Sequence, residues 1–194
     1  MRGFLVTIGL FAAAIAAKSS NCADGLYMIV ARGSGEPAAA SPKGLFPKNS
    51  ASAGYLAQLI AAQINGSEIM GVEYPATEDN PPYQQSESDG ATAMLQLVNE
   101  YHSSCPDSKM ALLGYSQGAQ VVSDVVCGGL GGIFNHDAPL SPELVKNSIV
   151  AIVLWGDPTH IANTTYDRGT SVHDGVSNNA VVTSLVAICL RLLN

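Results

Sequence analysis

Charge is scarce in this sequence. Asp, Glu, Lys and Arg make up 13% of its 194 residues, 9 basic against 16 acidic, for a net charge of −7. No run of Lys or Arg occurs, which argues against nucleic acid and anionic membranes as main partners. No heptad, Gly-x-y or longer repeat occurs, so coiled coil, collagen and solenoid are excluded. No CxxC or CxxH spacing suggests zinc. What the chain does have is a 47% apolar composition. With so few charges, that argues against intrinsic disorder. The length suits one domain with a sizeable core.

Met1–Ala17 reads MRGFLVTIGLFAAAIAA: one Arg, an apolar stretch, then small residues. This is the pattern of a secretory signal peptide, and it is short for a spanning helix. Ala14-Ile15-Ala16 offers the cleavage site. Residues 1–16 are therefore expected to be the signal, with an uncleaved anchor as the alternative. Export would carry Cys22, Cys105, Cys127 and Cys189 to an oxidising compartment. Four cysteines allow three pairings, and spacing alone does not choose among them. For Cys127 a buried thiol is the rival to a bridge. Asn65-Gly66-Ser67 and Asn163-Thr164-Thr165 are acceptor sequons for N-glycosylation.

Short apolar runs alternate with helical periods along the chain. Strands are expected at Gly25–Ala31, Glu68–Tyr74, Lys109–Gly114 and Ser148–Trp155. The last, SIVAIVLW, is the most apolar and reads as a central strand. Helices are expected at Ser52–Ile64, Ala91–Tyr101 and Gln117–Val126, the third stopped by Gly128-Gly129. Residues 76–90 and 128–142 read as loops. The alternation predicts an α/β three-layer domain, a parallel sheet with helices on both faces. In such sheets chemistry gathers at the carboxyl ends of the strands. The turns Arg32–Glu36, Gly114–Gly118 and Gly156-Asp157-Pro158 fall there.

Gly114-Tyr115-Ser116-Gln117-Gly118 fits G-x-S-x-G. The bare pattern is weak, but here it follows an apolar strand and opens a helix, as a nucleophile elbow requires. The ordinary alternative is a strand-to-helix turn with a capping Ser. In the elbow reading Ser116 is the nucleophile, and the N–H of Gln117 is the first oxyanion donor. The second donor should come from the turn after an early strand. Ser34 sits there and offers an N–H and a hydroxyl, although simple turn chemistry would also explain it. Ser116 needs a base and an acid, in the chain order Ser, acid, His. The downstream histidines are His136, His160 and His173. From the residues alone, Asp157 with His173 is the expected pair.

Taken together, these residues resemble the cutinase family, small secreted esterases that include fungal acetylxylan esterases. The matching stretches are Ala31–Glu36 (ARGSGE), Val72–Ala76 (VEYPA), Cys105-Pro106, Leu113–Ala119 (LGYSQGA), Val126–Gly129 (VCGG) and Gly156-Asp157-Pro158. They run in family order from about Cys22 to Gly175. The resemblance implies an α/β-hydrolase-type, cutinase-like sheet without a lid domain. It also implies Ser116 as nucleophile, Ser34 and Gln117 as the oxyanion hole, and a bridge from Cys22 to Cys105. It implies neither cofactor nor metal. The Val126–Gly129 stretch and the Gly-Asp-Pro turn are more similar to acetylxylan esterases than to cutin hydrolases.

The resemblance argues against Asp157 as the triad acid. In the family that acid lies further on, in a Cys-flanked loop, with the His shortly after. Here Val176–Asn194 contains neither Asp nor His, so residues 17–175 are expected to form the esterase domain and 176–194 an atypical apolar tail. Val176-Ser177 can be encoded by GTAAGT or GTGAGT, which resemble an intron donor, so a gene-model artefact is the favoured explanation of the tail. The expected function is a secreted, extracellular serine esterase acting on esters of plant cell-wall polymers, acetylxylan foremost. The rivals are a cutin hydrolase and a catalytically impaired relative that only binds. The expected partner is a polysaccharide or polyester ester, met by a monomer.

Overall fold

The computed structural model describes residues 22–47, 52–128, 134, 138–165, 167–168 and 172–176. The expected signal peptide and residues 177–194 lie outside them. The elements in chain order are β1 (Leu26–Ala31), α1 (Ser52–Ala61), β2 (Glu68–Gly71), α2 (Tyr83–Ser104), β3 (Lys109–Tyr115), α3 (Gln117–Cys127), α4 (Pro142–Ser148) and β4 (Ile149–Trp155).

The strands form one parallel sheet in the order β2-β1-β3-β4. Alternation along β1 and β3 divides their side chains between two cores, as the pleat demands. Tyr27, Ile29, Met110 and Leu112 face α2 and α3, where Met94, Val98, Val121 and Val125 meet them. Met28, Val30, Ala111 and Leu113 face the other way, onto Phe46 and the small residues Ala53 and Ala57 of α1. These inner strands are covered on both faces, and each large side chain buried there is worth about 1.5–3 kcal/mol. Three layers result, as expected.

Three expectations need correction. Ile149–Trp155 is not central: among the described residues β4 is an edge strand, opposite β2, and Val150 is 59% exposed. Its apolar run mimics a strand covered on both sides. Second, α2 begins at Tyr83 rather than Ala91. Its first turns, QQSES, hide the helical period because Ser86, Glu87 and Ser88 are buried polar residues. Third, the loop expected over 128–142 gives way at Pro142 to α4, mostly over residues for which no element was expected. Ser141 caps it by accepting from the Leu144 N–H at 3.2 Å, and Pro142 stands in its first turn.

Cys22 and Cys105 are bridged, 83 residues apart, which ties the start of β1 to the end of α2. Tyr27 and Tyr101 stack beside the bridge, and the Tyr101 hydroxyl accepts from the Ala23 N–H at 2.9 Å. Cys127 is also disulfide-bonded, which decides against a buried thiol; its partner lies outside the described residues.

Register matters for function. Ala31 pairs with Gly114, and Gly114 with Leu154, so three strands end at one level. The strand order reverses between β1 and β3, and that switch point is where an open α/β sheet leaves a crevice for ligands.

Candidate active site

Ser116 stands between the last residue of β3 and the first of α3. Its backbone is at φ 53°, ψ −123°, a region costly for any residue but glycine. Three contacts hold it there. Its N–H donates to the Trp155 carbonyl at 3.0 Å, and its own carbonyl accepts from Ala119 (2.9 Å) and Gln120 (3.2 Å). The flanking glycines make the bend possible. A Cβ on Gly114 would lie 2.3 Å from the Gly118 carbonyl oxygen. These are elbow constraints, not those of a capping serine: Ser116 makes no side-chain cap bond to α3.

The turn after β1 closes against this bend. A Cβ on Gly33 would meet the Ser116 Cβ at 3.3 Å and the Tyr115 ring at 2.8 Å. The next residue, Ser34, is half-buried, and its hydroxyl has no hydrogen-bond partner among the described residues. Gln117 opens α3, where the first N–H groups have no partner within the helix. Its side chain is fully buried. The Gln117 amide accepts from Ser86 Oγ and donates to the Thr77 carbonyl, both at 3.0 Å. The backbone of Gln117 is thereby fixed while its side chain points away into the protein.

A strained serine, two flanking glycines and an adjacent turn with an unpartnered hydroxyl agree with the sequence-level resemblance. The sequence model named Cutinase matches residues 22–189. The chain belongs to the cutinase family. The match extends past Gly175, where the motif-based resemblance stops, and takes in Cys189.

Among curated relatives of this cutinase-family chain is an acetylxylan esterase of Hypocrea jecorina. It is 38% identical over 96 residues, 48% of this chain and 32% of that protein. Cutinase 11 of Verticillium dahliae is 33% identical over 132 residues, 64% of this chain and 44% of that protein. The chain thus spans a third to a half of the length of these relatives. The catalytic core domain of an acetyl xylan esterase from Trichoderma reesei superposes with a TM-score of 0.59 at 25% identity, covering 78% of this chain and 75% of that one.

In this cutinase-family chain, the Asp157 carboxylate is hydrogen-bonded to no histidine side chain among the described residues, although its charge helps to raise His160. Its Oδ2 accepts from Ser123 Oγ at 2.8 Å, and its Oδ1 accepts from the N–H (2.8 Å) and Oγ1 (2.7 Å) of Thr159. It is a bracket between α3 and the turn after β4, which overturns the pairing of Asp157 with His173 expected from the residues alone. The His that does meet an Asp is His160. Its Nε2 lies 2.8 Å from Asp167 Oδ1, and its Nδ1 lies 2.9 Å from the His173 carbonyl oxygen. Burial pulls the His160 pKa down. The two hydrogen bonds and the Asp167 charge outweigh that and raise it, and the same pair lowers Asp167. With both nitrogens engaged by oxygens of Asp167 and His173, His160 is not placed as a base for Ser116. His173 is exposed on the same rim. His136 lies outside the described residues.

Sequence reasoning missed a group of buried carboxylates behind the elbow. Asp124 of α3 and Glu87 of α2 are almost wholly buried, with Asp157 close by. Burial pushes Asp124 up to about 7; its hydrogen bond with Glu87 pulls it down, and the Asp157 charge pushes it up. Tyr83 donates to Gln120 Oε1 at 2.9 Å beside them. The two sequon asparagines, Asn65 and Asn163, are both exposed in turns.

Proposed function

We propose that this chain is a secreted serine esterase that hydrolyses carboxylic esters of plant cell-wall polymers, with acetylated xylan as its substrate. Ser116 Oγ attacks the acyl carbon, and its proton ends on the sugar oxygen that departs. Ser34 and the Gln117 N–H take the oxyanion. The sugar hydroxyl leaves, and water then attacks the acyl-enzyme and releases acetate. The single observation carrying this is the strained Ser116 seated against Gly33, whose neighbour in the turn, Ser34, has a hydroxyl without a partner among the described residues. The relatives named acetylxylan esterase support the acyl class. The leader-like N-terminus and the Cys22–Cys105 bridge support export. Exposure of Asn65 and Asn163 supports their glycosylation on that route.

One observation favours a second reading, a relative that binds esters without turnover. Among the described residues no histidine is hydrogen-bonded to Ser116, and His160 is committed to Asp167. A triad without its base loses about a millionfold in kcat.

A fluorophosphonate probe separates the two. An activated Ser116 is labelled within minutes, and Ser116→Ala abolishes the label. A folded chain that stays unlabelled supports the binding reading. Release of acetate from acetylated xylan against hydrolysis of long-chain esters then decides between acetylxylan and cutin.

A further inference from the structure

We propose that Arg32 and Glu36 are positioning residues that clasp the Gly33-Ser34-Gly35 turn from both ends and hold it as the oxyanion side of the Ser116 site. The proposal rests on the esterase reading. Arg32 is buried, and among the described residues every hydrogen-bond acceptor of its guanidinium is a backbone carbonyl. Nε donates to Glu36 O at 2.9 Å. Nη2 donates to Tyr74 O at 2.6 Å and Pro75 O at 3.1 Å, and Nη1 reaches Val72 O at 3.4 Å. The Tyr74 hydroxyl donates back to the Arg32 carbonyl, and the guanidinium lies over the Tyr74 ring, 4.9 Å from its centre.

Glu36 closes the other side. Its Oε2 accepts from the Gly33 N–H at 2.8 Å, while its Oε1 accepts from the N–H (2.8 Å) and hydroxyl (3.0 Å) of Ser52 at the start of α1. Gly35 N–H donates to the Ala76 carbonyl at 2.9 Å, and Glu36 N–H to Gly33 O at 3.1 Å. The turn is tied to β1, to the segment after β2 and to α1, and Ser34 Oγ is buried without a hydrogen-bond partner among the described residues. Because Glu36 takes up the Gly33 N–H, the donors this turn can offer Ser116 are those of Ser34.

The residue types follow from this task. A planar fork of five N–H groups suits holding carbonyls of two separate segments at once in a fixed geometry. A buried cation whose hydrogen bonds all go to carbonyls is a poor way to add stability. It is a good way to fix a turn within the fraction of an ångström that oxyanion binding demands.

The test uses the full chain with Arg32→Met, Arg32→Lys and Glu36→Gln. Thermal unfolding is measured alongside the rate of Ser116 phosphonylation, and kcat and KM on an acetyl ester. Arg32→Met is expected to slow phosphonylation and kcat by about 10–100-fold, with KM changed less than about threefold. Arg32→Lys should recover part of that. Glu36→Gln keeps the side chain's shape and should cost about tenfold, and it carries the test if Arg32→Met does not fold. A labelled wild type with folded variants that react at its rate overturns the clasp alone. A wild type that takes no label overturns the esterase reading and the clasp with it.

Discussion

Gly118 lies so close to Ala31 that a Cβ on it would sit 2.2 Å from the Ala31 carbonyl oxygen and 2.6 Å from that of Arg32. The first turn of α3 therefore rests on the end of β1, and both strands that flank the switch point fix the position of Ser116. Backbone on both sides leaves nothing to yield. Gly118→Ala is expected to lower stability by about 3 kcal/mol, the upper range for overpacking. A thermal midpoint equal to wild type would show that α3 and β1 do not meet.

Ser116 holds a conformation that glycine adopts without strain. Ser116→Gly should abolish fluorophosphonate labelling while raising stability by about 1 kcal/mol, the lower end of the cost of such backbone strain. Denaturant unfolding checks it. A loss of stability instead would mean that the serine side chain contributes more to the fold than its backbone costs.

Gln117 joins the elbow to the first turn of α2 through Ser86 and to the loop before it through Thr77. Gln117→Leu fills similar space but leaves the Thr77 carbonyl without that donor. A destabilisation of about 1–3 kcal/mol is expected. Faster amide exchange should appear around Thr77 and spare β1.

Asp124 titrates near 7 in the folded chain, against about 3.9 for an unfolded aspartate. A raised folded pKa means that the folded state holds the proton more tightly. The stability this contributes is complete below about pH 4, erodes from there to 7 and is gone above 7. The size is of the order of a few kcal/mol. Of the groups beside it, Glu87 and Gln120 pull its pKa down by hydrogen bonding and the Asp157 charge pushes it up, and none of the three carries a positive charge. Asp124→Asn should flatten the decline in urea unfolding between pH 4 and 8, and parallel curves for the two proteins would rule the assignment out. The His160–Asp167 pair adds a smaller term. The raised His160 pKa helps below neutrality and fades as pH rises, and the lowered Asp167 pKa fails only in strong acid.

The parallel sheet, its layers and the elbow were legible in the sequence because apolar periodicity and glycine spacing report backbone geometry directly. The start of α2 was not, because Ser86 and Glu87 are polar residues facing inward, and a hydropathy pattern shows only apolar burial. Asp157 misled for a related reason. A carboxylate after a strong strand looks catalytic, while its actual partners, Ser123 and Thr159, are ordinary residues with no motif to announce them. Arg32 and Glu36 stood in view within the ARGSGE stretch, but their acceptors include carbonyls at 72, 74 and 75, which only the folded backbone brings near. The signal for α4 was there in Ser141-Pro142, a cap followed by proline at the first helical position.

The Cys22–Cys105 bridge also governs how the molecule answers to force. Drawn apart by its ends, the polypeptide cannot lengthen between those two sulfurs. About 280 Å of contour stays in reserve at full extension of the 83-residue ring. β1, α1, β2 and α2 form a closed hoop, and the Cys127 bridge closes a second ring after α3, so tension would bear first on β3 and α3 between the two.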